Sequence, residues 1–89
     1  MEIIMDDQQR LLRVDAIKTR MGIGRSKIYS SVKDGTLPEP IHIGSRVSVW
    51  PSGEIDAIIA ARVAGRSDAD IRALVAALHR RRAGMAEGA

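Results

Sequence analysis

Apolar residues recur at every third or fourth position over residues 14–21, which predicts a short helix with one buried face. A Gly-Ile-Gly run follows, and glycine suits the turn that ends a helix. A second helix is predicted from Arg25 to Asp34, with Ile28 and Val32 on its inward face. Two short helices joined by a tight glycine turn are typical of a helix-turn-helix.

A β-hairpin is predicted after this helix pair. Prolines at positions 38 and 40 exclude a helix there, and the run I-H-I-G-S-R-V-S-V-W at 41–50 alternates apolar and polar residues around a Gly-Ser pair. A hairpin in this position is typical of a wing, with Arg46 at its tip. Leu11 and Leu12, set between two arginines, are expected to form a short extended piece that packs on or pairs with a later strand.

The last third of the chain predicts two more helices. Ser52 is the predicted N-cap of the third helix and Ser67 that of the fourth. The arginines at 80–82 either form a solvated helix end that complements the dipole or contact the DNA backbone. An apolar stripe on the fourth helix has to be buried, either in its own domain or against a second copy. Because duplex sites are usually read by paired modules, we expect a homodimer through this stripe. Its residues are Ile71, Leu74, Val75 and Leu78.

Charge is unevenly distributed along the chain, although the net charge is only +3. Residues 1–9 carry a net charge of −3, residues 10–50 carry +5, and the remainder carries +1. The positive charge therefore accompanies the predicted helix pair and hairpin, as expected of a surface that meets nucleic acid. One tyrosine, one tryptophan and no phenylalanine are present, which disfavours stacking on single strands and favours duplex DNA.

The exposed face of the second helix carries cations and small hydroxyl groups, with no acid before position 34. Free N–H groups and the dipole at a helix N-terminus attract phosphate oxygens. We therefore interpret this helix as a DNA recognition helix, with an ordinary basic surface helix as the alternative. The candidate DNA-binding residues are Ser26, Lys27 and Ser30, nearest the bases, and Arg25, Tyr29, Lys33 and Arg46, on the phosphates.

The predicted fold class is mainly α with a small β-hairpin wing, a winged helix-turn-helix plus an extra C-terminal helix. A chain of 89 residues is expected to form one domain. We expect a mobile acidic N-terminus over residues 1–9, the winged helix-turn-helix DNA-binding domain over residues 10–66, the C-terminal helix over residues 67–82 and a flexible tail over residues 83–89.

The sequence argues against catalysis and metal binding. Cysteine is absent, and the two histidines, His42 and His79, have no neighbours suited to zinc. Ser30 and Lys33 fit the S-x-x-K pattern of serine acyl enzymes, but the further motifs of that chemistry are missing. We therefore expect no enzymatic activity, no cofactor and no metal.

Four runs carry a resemblance to a known family: R-L-L-R at 10–13, M-G-I-G-R-S-K-I-Y at 21–29, K-D-G-T-L-P-E-P-I-H-I-G-S-R-V-S-V-W at 33–50 and E-I-D-A-I-I-A-A-R at 54–62. In their order, residues and spacing, these runs resemble the AlpA family of prophage regulators. These are small winged helix-turn-helix proteins close to phage excisionases and to the DNA-binding head of MerR regulators. The chain departs from the family pattern at Gly24, where a capping serine is common, and at Ser30, where a basic residue is common.

The resemblance implies a sequence-specific protein that binds double-stranded DNA and regulates prophage or mobile-element genes. It also implies an alternative, an excisionase-like recombination directionality factor with an integrase as partner. A second alternative, suggested by the fourth helix, is an antitoxin-like adaptor that works mainly through a protein partner. We expect a bacterial cytoplasmic protein, nucleoid-associated when bound to DNA. Because the sequence contains neither a signal peptide nor a membrane-spanning run, we expect no membrane association.

Overall fold

Four helices and a small antiparallel sheet make up the computed structural model, which describes residues 10–88, with side chains as far as Met85. The predicted fold class is confirmed, since a helix pair, a wing and an extra C-terminal helix follow one another along the chain. The elements are β1 (Leu11–Leu12), α1 (Val14–Met21), α2 (Arg25–Asp34), β2 (Ile41–Ile43), β3 (Val47–Pro51), α3 (Ser52–Val63) and α4 (Asp68–Gly88).

Glycine ends both helices of the helix-turn-helix. Gly22 after α1 has φ 68° and Gly35 after α2 has φ 88°, a left-handed conformation that glycine adopts without the steric cost of a β-carbon. Gly24 precedes α2 in an ordinary extended conformation. Ile17 of α1 and Ile28 of α2 are fully buried, so the two helices share the core that their apolar spacing predicts.

The wing belongs to a sheet with the strand order β1-β3-β2. In β3, Trp50 lies opposite Leu12 of β1, and Val49 lies opposite Ile41 of β2. The prediction that Leu11 and Leu12 pair with a later strand is therefore confirmed. This pairing ties the segment before α1 to the base of the wing.

The predicted capping role of Ser52 is wrong. Ser52 is the first residue of α3, and the residue before it, Pro51, makes no side-chain cap. The hydroxyl of Ser52 instead accepts the N–H of Arg10 at 2.8 Å, while its own N–H donates to the Arg10 carbonyl at 2.6 Å. The contact with Arg10 thus occupies the hydroxyl oxygen that would otherwise accept an N–H of the first helical turn.

The core extends from the helix-turn-helix onto α4. Trp50, Ile55 and Ile58 are fully buried and pack with the apolar stripe of α4. The stripe from which we expected a homodimer is therefore packed within one chain, because the turn after α3 folds α4 back over the domain. This removes the argument for self-association through the stripe. Ile71, Val75 and Leu78 are buried, and Leu74 is half-buried against them.

The fourth helix is longer than predicted. Its N-cap is Ser67, as expected, with the hydroxyl accepting the N–H of Asp70 at 3.1 Å. The helix then continues to Gly88, so the tail expected over residues 83–89 is helical at positions 83–88. Alanine, methionine and glutamate favour a helix here, and the cost of Gly84, about 1 kcal/mol, does not end it. The N-terminus expected to be mobile, residues 1–9, lies outside the described residues.

Candidate nucleic-acid interface

The outward face of α2 is a surface of cations and hydroxyl groups. Its inward face is closed, since Ile28 is fully buried and Val32 packs against the core. All seven residues that the sequence suggests for DNA contact are exposed, six on α2 and one on the wing. They are Arg25, Ser26, Lys27, Tyr29, Ser30, Lys33 and Arg46.

Two aromatic rings join α2 to the base of the wing. The Tyr29 ring lies 6.0 Å from the Trp50 ring, centroid to centroid, at a tilt of 57°. Trp50 is fully buried, and its indole N–H donates to the Pro38 carbonyl at 2.7 Å. The Arg25 guanidinium lies 5.4 Å from the centroid of the Tyr29 ring, within the range of a cation–π contact. Arg25, Tyr29 and Trp50 thus form a continuous set of contacts from α2 to β3.

The wing carries its cation at the tip. Gly44 has φ 69°, which allows the tight reversal between β2 and β3. Arg46 follows it, exposed and four residues before Trp50, or about 13 Å along an extended strand. At mid-strand, the Ser48 hydroxyl and Nδ1 of His42 are 3.1 Å apart. The wing therefore extends Arg46 away from the buried Trp50, against which Tyr29 of α2 packs.

The hydroxyl of Ser30 is used within α2. It donates to the Lys27 carbonyl at 3.1 Å, a bond that serines often make inside helices. In this rotamer, its oxygen remains able to accept a hydrogen bond from outside. Ser30 is thus suited to a donor group on a base edge, such as an exocyclic amine in the major groove.

Several cations between elements are ion-paired, whereas the candidate cations of α2 and the wing are not paired with any side chain of residues 10–85. Arg20 of α1 pairs with Asp56 of α3, and Arg62 of α3 pairs with Asp68 of α4 at 2.9 Å. Within residues 10–85, no carboxylate lies within salt-bridge distance of the four candidate cations. These are Arg25, Lys27, Lys33 and Arg46.

A groove of about 550 Å³ opens beside Lys27, between the helix-turn-helix and the turn from α3 to α4. Its apolar lining includes Met21, Ile23 and Ile59. On its rim, the hydrogen bond from Arg62, with the charge of that guanidinium, holds the pKa of the Asp68 carboxyl below its usual value. Asp68 is thus ionised and paired with Arg62 at neutral pH.

Three polar side chains of α4 contact the rest of the domain in ways that sequence reasoning missed. Arg72 donates to the C-terminal end of α2, and Nε2 of His79 accepts the N–H of Glu39 at 3.1 Å. Arg82 donates to both carboxylate oxygens of Glu54, at 2.8 and 2.5 Å. These partners lie 28 to 40 positions apart in the chain, so no local pattern could reveal them.

The three arginines at 80–82 therefore do not act as one cluster, because Arg82 is paired and the other two are exposed. Arg82 is half-buried, donates to the Glu39 carbonyl at 2.8 Å as well as to Glu54, and fits neither of the roles considered for the cluster. Glu54 is only 8% exposed, so Arg82 is the counter-ion of a buried carboxylate. Arg80 and Arg81 remain exposed.

The described part of the chain holds no group of three or more histidine, cysteine or acidic residues that could bind a metal ion. No helix within residues 10–88 has both the length and the apolar character needed to cross a membrane.

The fold and this surface define a winged helix-turn-helix protein with an additional C-terminal helix. Residues 10–63 match the family of the prophage CP4-57 regulatory protein (AlpA), and the chain belongs to this family. Over 59 residues it is 36% identical to the uncharacterized protein ORF88 of Enterobacteria phage P4, a stretch that covers 66% of this chain and 67% of that protein. No solved structure matches the chain significantly. The family match ends at the last residue of α3, so α4 lies outside it.

Proposed function

We propose that this protein binds double-stranded DNA sequence-specifically and regulates prophage or mobile-element genes. Membership of a prophage regulatory family supports a regulatory role. The observation that carries the proposal is the outward face of α2, where Arg25, Lys27 and Lys33 have no carboxylate partner among residues 10–85. Cations that only solubilise a helix are commonly paired with acids on the same face. Cations that neutralise phosphates are left available.

In the proposed complex, α2 enters the major groove. Ser26, Lys27 and Ser30 lie nearest the base edges, where they carry the sequence preference. The wing places Arg46 against the flanking DNA backbone. The other four candidate residues neutralise or bind phosphates, and they are Arg25, Tyr29, Lys33 and Arg46.

The test is selection of bound duplexes from a random pool at near-physiological salt. The wild type is compared with a variant in which Arg25, Lys27 and Lys33 are alanine. A matched control replaces Arg66, Arg80 and Arg81 by alanine, which removes the same number of exposed charges away from α2. We expect a defined motif from the wild type and the control, and none from the first variant. Failure of the wild type to enrich any motif would contradict the proposal.

The salt dependence of binding tests the individual contacts. With about five phosphates neutralised, log K is expected to fall with log salt at a slope of roughly −4 to −5. Lys33→Ala should flatten this slope by about one unit without changing the sequence preference. Arg81→Ala, on α4, is the matched control and should leave the slope unchanged. A slope that does not change in Lys33→Ala would remove Lys33 from the contacts.

An excisionase-like role in recombination would use the same DNA surface, and bending of the selected duplex would favour it. The adaptor alternative depended on an exposed apolar stripe of α4, and that stripe packs in the core. Repeated half-sites in the selected motif would indicate that two copies bind together through another surface.

A further inference from the structure

Asp34 is the one acid of α2, and it lies on the face proposed to meet DNA. Lys27, Ser30 and Asp34 follow one another at spacings of three and four residues, which places them on one stripe of the helix. The Asp34 side chain is 55% exposed and directly follows Lys33. A carboxylate in this position would repel the phosphates that its neighbours are proposed to bind.

Arg72 of α4 reaches this carboxylate from behind the recognition helix. Its Nε donates to the Asp34 carbonyl at 3.0 Å, and its Nη2 lies 3.2 and 3.3 Å from the two carboxylate oxygens. The aliphatic part of Arg72 passes over Gly35, where a β-carbon would lie 3.6 Å from its Cγ. The guanidinium therefore binds the end of α2 and its only carboxylate together.

We propose that Arg72 is a positioning residue for DNA binding, which holds the Asp34 carboxylate as an internal ion pair away from the phosphates. The inference rests on the proposed function, because it concerns the same surface. Arg72 itself does not contact DNA in this arrangement. With Arg72 in place, DNA meets the cations and hydroxyl groups of α2 without an uncompensated acid among them.

The alternative is that Arg72 acts as one more independent cation near the DNA. In that case its removal lowers the affinity by the same factor whether or not Asp34 is charged. If Arg72 acts through Asp34, its removal matters only while the carboxylate is present, because the released side chain then turns towards the phosphates. A double-mutant cycle separates these two cases.

The experiment measures the Kd for the selected duplex at ~0.1 M salt, where charges interact over about 10 Å. We expect Arg72→Gln to weaken binding about fivefold in the wild-type background and less than about twofold in the Asp34→Asn background. Arg72→Lys loses the guanidinium geometry but keeps a positive charge beside the Asp34 carboxylate, and is expected to bind within about twofold of the wild type. Circular dichroism melts of each variant check that the fold is retained.

Arg20 and Asp56 provide the matched cycle, since they form an ion pair of similar exposure between α1 and α3. We expect no coupling in DNA affinity there. Equal losses from Arg72→Gln in both backgrounds would overturn the inference, and so would a loss from Arg72→Lys as large as that from Arg72→Gln. If the wild type binds no duplex selectively, the proposed function fails instead, and the two failures are thereby distinguished.

Discussion

Two kinds of polar side chain are important in this protein: those that donate hydrogen bonds between elements and those that lie exposed on the outward face of α2. Arg82 and Trp50 are of the first kind: an N–H of Arg82 donates to Glu54, and the indole N–H of Trp50 donates to the Pro38 carbonyl. Lys27 and Lys33 are of the second kind, with no ion pair to any side chain of residues 10–85. Arg82, Lys27 and Lys33 carry the same charge. What distinguishes them is whether the fold brings an acid from a distant part of the chain within reach, as it brings Glu54 to Arg82.

Trp50→Phe is expected to destabilise the protein by about 3 kcal/mol. The change leaves the buried Pro38 carbonyl without its indole donor and removes part of a ring that is fully buried. The free energy of unfolding from urea titrations followed by circular dichroism measures this. Tyr29→Phe, which keeps the ring packed on Trp50, is the control and should change the free energy by less than about 0.5 kcal/mol. Equal stability of Trp50→Phe and wild type would show that the bond to Pro38 contributes nothing.

At the scale of elements, the helix-turn-helix depends on one glycine more than on the other. Gly22 adopts a left-handed conformation, whereas Gly24 has an extended conformation that any residue can adopt. Within residues 10–85, no atom lies within 4 Å of a β-carbon added at either position, so a substitution there meets no steric clash with them beyond its own backbone.

Gly22→Ala should therefore destabilise the protein by about 1 kcal/mol through backbone strain alone. Gly24→Ser should be neutral or stabilising by a few tenths of a kcal/mol, since serine is a slightly better N-cap than glycine. Thermal melts of the two variants make the comparison, because about 1 kcal/mol corresponds to a shift of roughly 4–8 °C in a domain of this size. A Gly22→Ala melting temperature equal to that of the wild type would contradict the strain argument.

For the whole molecule, α4 is a structural part of the winged helix-turn-helix domain rather than an appendage to it. It closes the core with its apolar stripe, and its polar side chains contact the end of α2, the link before the wing and the start of α3. The end of α2 is therefore held by contacts from a helix that lies outside the family match.

Leu78→Gln is expected to lower the melting temperature sharply without changing the apparent mass of the folded protein. Leu78 is 7% exposed, and loss of a buried leucine typically costs 2–5 kcal/mol, more when a polar group replaces it. Ala73→Gln, on the exposed face of α4, is the matched control and should melt like the wild type. Light scattering on a sizing column reports the mass. An unchanged melting temperature together with a halved mass would show that the stripe joins two chains after all.

The sequence by itself determined the local elements. Apolar spacing, glycine turns and the alternating run before Trp50 were sufficient for α1, α2 and the wing, because these patterns act over a few residues. The exposed set on α2 also followed from helical periodicity, since Ile28 and Val32 define the inward face of that helix. The end of α4 was placed too early, because the helix formers among residues 83–88 continue the helix to Gly88.

Only the tertiary structure decided what the fourth helix does. Whether its stripe packs within one chain or between two is a matter of where the turn after α3 directs the chain, and both arrangements have the same periodicity. The pairing of Arg72 with Asp34 likewise joins residues 38 positions apart, and so does not appear in any local pattern. The sequence shows which side chains carry charge, whereas the fold decides which of those charges are neutralised and which stay available to a partner.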